Sequence, residues 1–238
     1  MQVTFLGHSG FLVELEQTAL LFDWWTGELP PLPEGKPLAV FASHSHQDHF
    51  QPGIFRLRDG VRPVRFVLGN DIKLSRRHRE VWQLSDEVVS CCERLCGNKE
   101  TEPLPGIKVR TLPSTDAGVA FLVEAEGRTI YHAGDLNWWH WTEETPLWNT
   151  NMERDYKRFL EPLRGRTLDL AMAPLDPRQG LEGEGLGLAY LLSITDTRAA
   201  LPMHQWGDPS PTDRFLAAHP QWADRVLPVR EPGQTFSL

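Results

Sequence analysis

The sequence predicts an α/β domain in which sheets are covered by helices, and three observations carry that reading. Short apolar runs of strand length recur along the whole chain, and stretches of helical character lie between them. No shift of composition marks a linker, so one layered domain over residues 1–238 is the simplest solution.

Each element follows from a local pattern. Gln2 to Leu6 and Phe11 to Glu16 read as two strands joined by a turn at Gly7-His8-Ser9-Gly10. Thr18 to Asp23 is a third apolar run that ends on a carboxylate, and Leu29 to Gly35 is a Pro/Gly-rich loop. Leu38 to Ala42 has strand length and leads directly into a histidine-rich segment; Val64 to Leu68 is another buried-strand pattern. Asp71 to Cys96 is charged and free of glycine, which predicts a mainly helical stretch. Lys108 to Leu112, Ala120 to Glu124 and Thr129 to His132 read as consecutive strands, with Glu126-Gly127 as a hairpin turn. Leu168 to Ala173 and Ala199 to Met203 are further short apolar runs, and Asn151 to Leu163 and Pro211 to Ala218 have helical character.

Composition narrows the function classes. Lys plus Arg total 24 against 32 for Asp plus Glu, a formal charge of −8. No broad basic field exists to hold phosphates, so no nucleic-acid partner is expected. A small anionic substrate stays open, because a bound metal would be the largest local positive charge. Cys91, Cys92 and Cys96 are an odd count with two adjacent, a poor disulfide framework, and read as idle thiols. No basic residue precedes the first apolar run and no window reaches the roughly 18 apolar residues of a membrane span. A signal peptide and a membrane partner are therefore not expected, and a cytoplasmic location is. The sequence leaves the oligomeric state open.

The chemistry is concentrated in His44-Ser45-His46-Gln47-Asp48-His49. His44, His46 and Asp48 alternate, so an extended backbone would point all three the same way. His49 reaches a neighbouring position if the chain turns. Three imidazoles and a carboxylate within six residues suit a borderline metal such as zinc.

This segment resembles the His-x-His-x-Asp-His signature of the metallo-β-lactamase superfamily. Other motifs agree in order: Asp23 ends a strand before it, His132-Ala133-Gly134-Asp135 resembles the motif whose aspartate bridges two metals, and Pro202-Met203-His204 resembles the late strand that delivers the last histidine. Leu6-Gly7-His8-Ser9 is similar to the opening of the ascorbate-6-phosphate-lactonase-like branch. The resemblance implies an αββα sandwich of two mixed sheets flanked by helices. It also implies a metal-dependent hydrolase acting on an ester, lactone, amide or phosphoester of a small molecule. One or two zinc ions, with Mn or Fe as alternatives, would be held by His44, His46, Asp48, His49, Asp135 and His204, and Asp48 would also orient the attacking water.

One position departs from the family pattern. The third histidine of the first metal site is not evident: His78 lies in a cationic run, and His132 sits on a strand as a packed residue or one behind the ligands. Asp116, in the loop from Pro113 to Gly118, is the replacement by chemistry, or else a turn aspartate capping its own backbone. His8 reads as a turn histidine bonded to its neighbours, with a pocket-facing role as the alternative. Trp138, Trp206 and Arg178 follow strand ends and are read as substrate-binding residues, against plain packing for the indoles and a surface ion pair for the arginine. Gly180, Gly183, Gly185 and Gly187 suggest a flexible loop. The rival function is a metal-binding or sensor protein without catalysis, which the altered first site would suit. An iron-dependent redox role is disfavoured by His46, where that branch usually carries a carboxylate.

Overall fold

The structure is a computed structural model that describes residues 1–32, 35–59 and 62–238. Pro33 and Glu34 of the expected Pro/Gly-rich loop lie outside the described residues. Strands β1 (Gln2–Gly7), β2 (Gly10–Glu14), β3 (Ala19–Phe22), β4 (Leu38–Ala42), β5 (Val64–Gly69) and β6 (Cys92–Leu95) lie side by side in that order. The second sheet is built from β7 (Glu100–Leu104), β8 (Ile107–Pro113), β9 (Val119–Ala125), β10 (Arg128–His132), β12 (Leu170–Pro174) and β14 (Ala200–Met203). Short β11 (Thr167–Leu168) and β13 (Asp196–Thr197) pair with each other, and β15 (Thr235–Ser237) closes the first sheet against β1. Each large sheet is antiparallel at one end and parallel at the other: β3 to β6 run parallel, as do β10, β12 and β14.

Side-chain alternation along the strands divides the core in two. Val3, Phe11, Phe22 and Phe41 join Phe121, Ile130 and Met172 between the sheets, and Phe41 meets Phe121 edge to face at 5.2 Å. Their alternates Leu12, Leu21, Val40 and Phe66 pack on the other face against Ile54, Phe55 and Trp82. Burial on both faces is why these strands read as unbroken apolar runs.

Helices flank the sheets: α1 (Arg76–Trp82), α2 (Asp86–Ser90), α3 (Pro146–Leu160), α4 (Gly180–Gly183), α5 (Leu186–Ile194) and α6 (Ser210–Ala218). Ser75, Ser85 and Thr145 cap the first three by accepting backbone N–H bonds, and Pro146 takes the first turn of α3, where no donor is lost. The αββα layering matches the sequence expectation. Among the described residues no helix is long and apolar enough to cross a membrane.

Two local expectations are corrected. Asp71 to Cys96 is helical only in α1 and α2, and its end becomes β6, which supplies the hydrogen-bonding partner for the free edge of β5. The glycine-rich stretch after Arg178 is not a loop: α4 spans Gly180–Gly183, Gly185 caps α5, and α5 takes in Gly187 and buries Leu188, Leu191 and Leu192.

One glycine governs how the loops meet. Gly118 has φ of 66°, and a Cβ there would lie 2.0 Å from the Ser43 carbonyl oxygen and 2.5 Å from His44 Cβ. Gly118→Ala is expected to destabilise by roughly 2–5 kcal/mol, combining left-handed strain and overpacking. Gly106→Ala, at φ of 80° with nothing within 4 Å, carries the strain alone, about 1–2 kcal/mol. Urea unfolding of both variants checks this, and equal losses would contradict the close approach at Gly118.

Candidate metal centre

The chain immediately beyond β3, β4, β10, β12 and β14 supplies side chains that meet at one edge of the sandwich. Asp23 follows β3 with φ of 41° and is fully buried. It accepts from Ser43 N at 2.7 Å and from Ser43 Oγ at 2.6 Å, and His49 Nδ1 lies 2.7 Å from its Oδ2. Because Ser43 Oγ donates to Asp23, it is free to accept from His44 Nδ1 at 2.9 Å. Asp176, after β12, does for His204 what Asp23 does for His49, with Nδ1 at 2.8 Å from Oδ2. With the outer nitrogens held, the inner Nε2 atoms of His44, His49 and His204 carry the lone pairs.

Those inner nitrogens converge on Asp135. His44 Nε2 lies 3.3 Å from Oδ2, while His49 Nε2 and His204 Nε2 lie 3.1 and 3.4 Å from Oδ1. Asp135 therefore joins two neighbouring donor sets. His46 Nδ1 is 3.0 Å from His44 Nε2 on one side, and Asp48 Oδ2 is 3.9 Å from His204 Nε2 on the other. The segment from Ser45 to His49 is a turn, with His49 N and Phe50 N both donating to the His46 carbonyl. The expectation of an extended segment is thus corrected, and the turn divides the motif, His44 and His46 to one set and Asp48 and His49 to the other.

The donor chemistry fits a divalent cation. Nε2 of His8, His49 and His204 and Oδ1 of Asp135 are buried without a hydrogen-bond partner. An unpaired buried polar atom costs about 1–3 kcal/mol, so lone pairs gathered this closely are what a metal ion would satisfy. The spacings bracket the ~3.3 Å edge of a tetrahedral set with bonds of about 2.0–2.1 Å. Donor atoms within 4.8 Å of one another form three groups: His44, His49 and Asp135; His46, Asp116 and Asp135; and His8, Asp48, His49 and His204.

Electrostatics reinforce the arrangement. Burial would lift Asp135, but the surrounding imidazoles, His49 foremost, hold it well below the usual carboxylate range. Asp48 is lowered against the same burial by His8 and His49, and Asp176 falls to about 2 beside His204 and Arg178. Burial opposes a charge on His49, yet Asp135 and Asp23 outweigh it and raise it to about 10.

The structure brings together His44, His46, Asp48, His49, Asp135 and His204, and sets Asp116 at the exposed rim beside His46. Ser114 Oγ, rather than the Asp116 carboxylate, accepts the local backbone N–H at 3.1 Å. His8 is not simply a turn residue, since it joins the Asp48 group. His132 is packed, stacked on Phe22 at 5.1 Å and 2.9 Å from the Ser9 carbonyl oxygen, and His78 lies elsewhere, against Trp82. A cleft of about 260 Å³ opens on the site, lined by Thr115, Asp116, Trp139, Trp141, Trp148 and Arg178 among others. Trp138, expected to meet substrate, instead packs on Tyr156 and Tyr190 under Lys157, and its neighbours Trp139 and Trp141 face the cleft. Arg178 lines the cleft while Nε and Nη2 grip Asp176, and it lies 4.5 Å over the Trp206 ring. Trp206 borders a separate apolar hollow of about 280 Å³ beside His8. A larger hollow of about 360 Å³ on β7 to β9 is edged by paired charges such as Arg166 and Glu124, and is remote from these donors.

Sequence reasoning missed Ser43 and Asp176 as the groups that orient the histidines. Asp176 had a signal: it closes a buried apolar run as Asp23 does.

Comparison with known proteins gives the family and the fold. Residues 2–145 match the family described as the beta-lactamase superfamily domain. A protein named UPF0173 metal-dependent hydrolase from Heliobacterium modesticaldum is 26% identical over 269 residues, spanning 100% of this chain and 98% of its own. One of the same name from Opitutus terrae is 26% identical, with both chains fully covered. The solved structure of Igni18, a metallo hydrolase from Ignicoccus hospitalis, shares the fold with a TM-score of 0.62 at 17% identity, over 100% of this chain and 98% of that one.

The charge pattern yields a pH signature for metal-free protein. His49 has its folded pKa raised above 6.5, so its contribution is full below about 6.5 and is lost as pH rises through about 10. Asp23 and Asp135 are lowered from 3.8, so theirs is present above that value and lost as pH falls. His8 and His132, lowered by burial, act the other way and cost stability as pH falls below about 6.5. In chelator, the urea midpoint should decline from pH 7 toward pH 10; a midpoint unchanged over that range would contradict the His49 assignment.

Proposed function

The chain belongs to the metallo-β-lactamase superfamily, and from that premise we propose that it is a metal-dependent hydrolase of a small-molecule ester, lactone, amide or phosphoester. The observation that carries this reading is Asp135, whose Oδ2 lies 3.3 Å from His44 Nε2 and whose Oδ1 lies 3.1 and 3.4 Å from His49 and His204 Nε2, among buried atoms that have no hydrogen-bond partner. His44, His46, Asp116 and Asp135 would hold one ion and Asp48, His49, Asp135 and His204 the other, with zinc, manganese or iron matching the nitrogen and carboxylate donors. Bound ions of this kind polarise a carbonyl or phosphoryl oxygen and make water acidic enough to attack at neutral pH.

The protein's own groups supply the rest. Asp48 is partly exposed beside His8 and His204, where a carboxylate oxygen would orient the attacking water. Held so far below the usual carboxylate range, it is a poor store for a proton, so its role is orientation and onward transfer. Trp139, Trp141 and Trp148 offer ring faces to a flat group, and Arg178 places positive charge at the cleft for an anionic part of the substrate. The Leu6-Gly7-His8-Ser9 resemblance puts a lactone among the first compounds to try. Free thiols at Cys91, Cys92 and Cys96 accord with a reducing, cytoplasmic compartment.

A second reading, metal binding without catalysis, draws on the exposure of His46 and Asp116, which would leave the first ion weakly held. Metal content per chain, on protein purified without added metal, is expected to be two for the wild type and one for Asp116→Ala. Nitrophenyl ester, lactone and phosphodiester panels should give turnover that Asp48→Asn lowers at least ~100-fold. Metal-loaded wild type that turns over none of them would favour the second reading, and a chain that takes up no metal would sink both.

A further inference from the structure

We propose that His8 is a direct ligand of the ion held by Asp48, His49, Asp135 and His204, so that this buried site has five protein donors and fills before the exposed one. The inference rests on the metal centre proposed above and adds a residue that the sequence alone does not place among the ligands.

His8 sits in the β1–β2 turn with φ of 53°, a left-handed backbone that is uncommon for histidine. Such strain persists only where surrounding contacts enforce it. Here the His8 carbonyl accepts from His204 N at 3.1 Å, and His204 itself has φ of 63°. The two loops are thereby locked together and their rings lie 4.2 Å apart. Trp206 at 4.6 Å and Trp25 at 6.3 Å wall the His8 ring, leaving its side chain 5% exposed.

A turn histidine that served only its neighbours would satisfy its ring nitrogens locally. His8 Nε2 is instead buried and unbonded, 3.3 Å from Asp48 Oδ2. That is the spacing found between His44 and Asp135 and bracketed by the His49 and His204 distances to Asp135. His8, Asp48, His49 and His204 offer donor atoms within 4.8 Å of one another, and Asp135 approaches His49 and His204 at 3.1 and 3.4 Å, so two carboxylates would balance a divalent charge. This set exceeds the four donors of a closed tetrahedral zinc site, which suits an ion accepting five or six ligands. The other set relies on exposed His46 and Asp116, so the buried site should bind more tightly.

Cobalt(II) titration of chelator-stripped protein tests this through its visible absorption and through competition with a chromophoric chelator. His8→Asn is the informative variant, because asparagine tolerates the left-handed backbone but is too short to reach the ion. It is expected to intensify and shift the first-equivalent band, as fewer ligands remain. It should also weaken the first equivalent at least about tenfold, the low end of losses seen when groups behind metal ligands are removed. His46→Ala should leave the first equivalent unchanged and alter the second. A first-equivalent band and affinity identical to wild type in His8→Asn would overturn the proposal, as would His46→Ala perturbing the first equivalent instead. Wild type that takes up no cobalt would overturn the metal centre and this inference together. The ¹⁵N shift of His8 Nε2 in zinc-loaded wild type needs no substitution: a ligated value supports the assignment and a free-imidazole value rejects it.

Discussion

The Asp23 carboxylate has no contact with water, and an ion so placed is stable only when donors meet its oxygens. Ser43 reaches both oxygens, one with its backbone N–H and one with its hydroxyl, and His49 Nδ1 lies 2.7 Å from Oδ2. That single requirement ties the end of β3 to the end of β4 and sets the rotation of two histidine rings. His49 is aimed directly, and His44 through Ser43 Oγ. Gly118 then lets the β8–β9 loop close over the same Ser43, so that Val119 N donates to the Ser43 carbonyl at 3.1 Å. The rigid parallel strands supply the support, and the buried charge decides how the loops on top of them must sit.

The second sheet repeats the device in a wetter setting. Asp176 orients His204, but it is backed by Arg178 and by the Trp206 indole N–H at 3.4 Å, both reaching toward solvent. The guanidinium that holds this carboxylate also lines the cleft. A ligand binding to Arg178 would therefore act on the orientation of His204 through Asp176. The arm anchored on Asp23 has no such connection to the surface.

Much of this was legible along the chain. Runs such as Leu38 to Ala42 and Ala120 to Glu124 announce buried strands because both of their faces are covered. The Glu126-Gly127 hairpin is legible because its positive φ angles, 51° and 73°, need residues that tolerate them. The candidate donors in His44 to His49, Asp135 and His204 are legible because metal chemistry calls for those side chains, here at strand ends. β7 was not legible, since Glu100–Leu104 carries one buried residue and exists by pairing with β8. Nor was the choice between Trp138 and Trp139, because adjacent residues differ only in which way the chain turns after Asp135. His8 was not legible for the same reason: its neighbours in sequence suggest a turn, and its neighbours in space are His49 and His204.

By itself the sequence determined the layered α/β architecture and the types of donor, since periodicity and ligand chemistry are properties of short segments. Only the tertiary structure decided which donors lie within reach of one another, that Asp135 stands between His44 on one side and His49 and His204 on the other, and that Asp23, Ser43 and Asp176 hold the histidines in place. Those outcomes depend on contacts between residues as far apart as His8 and His204. Such contacts form because buried polar groups must find partners wherever the fold brings them, and no local pattern specifies that pairing.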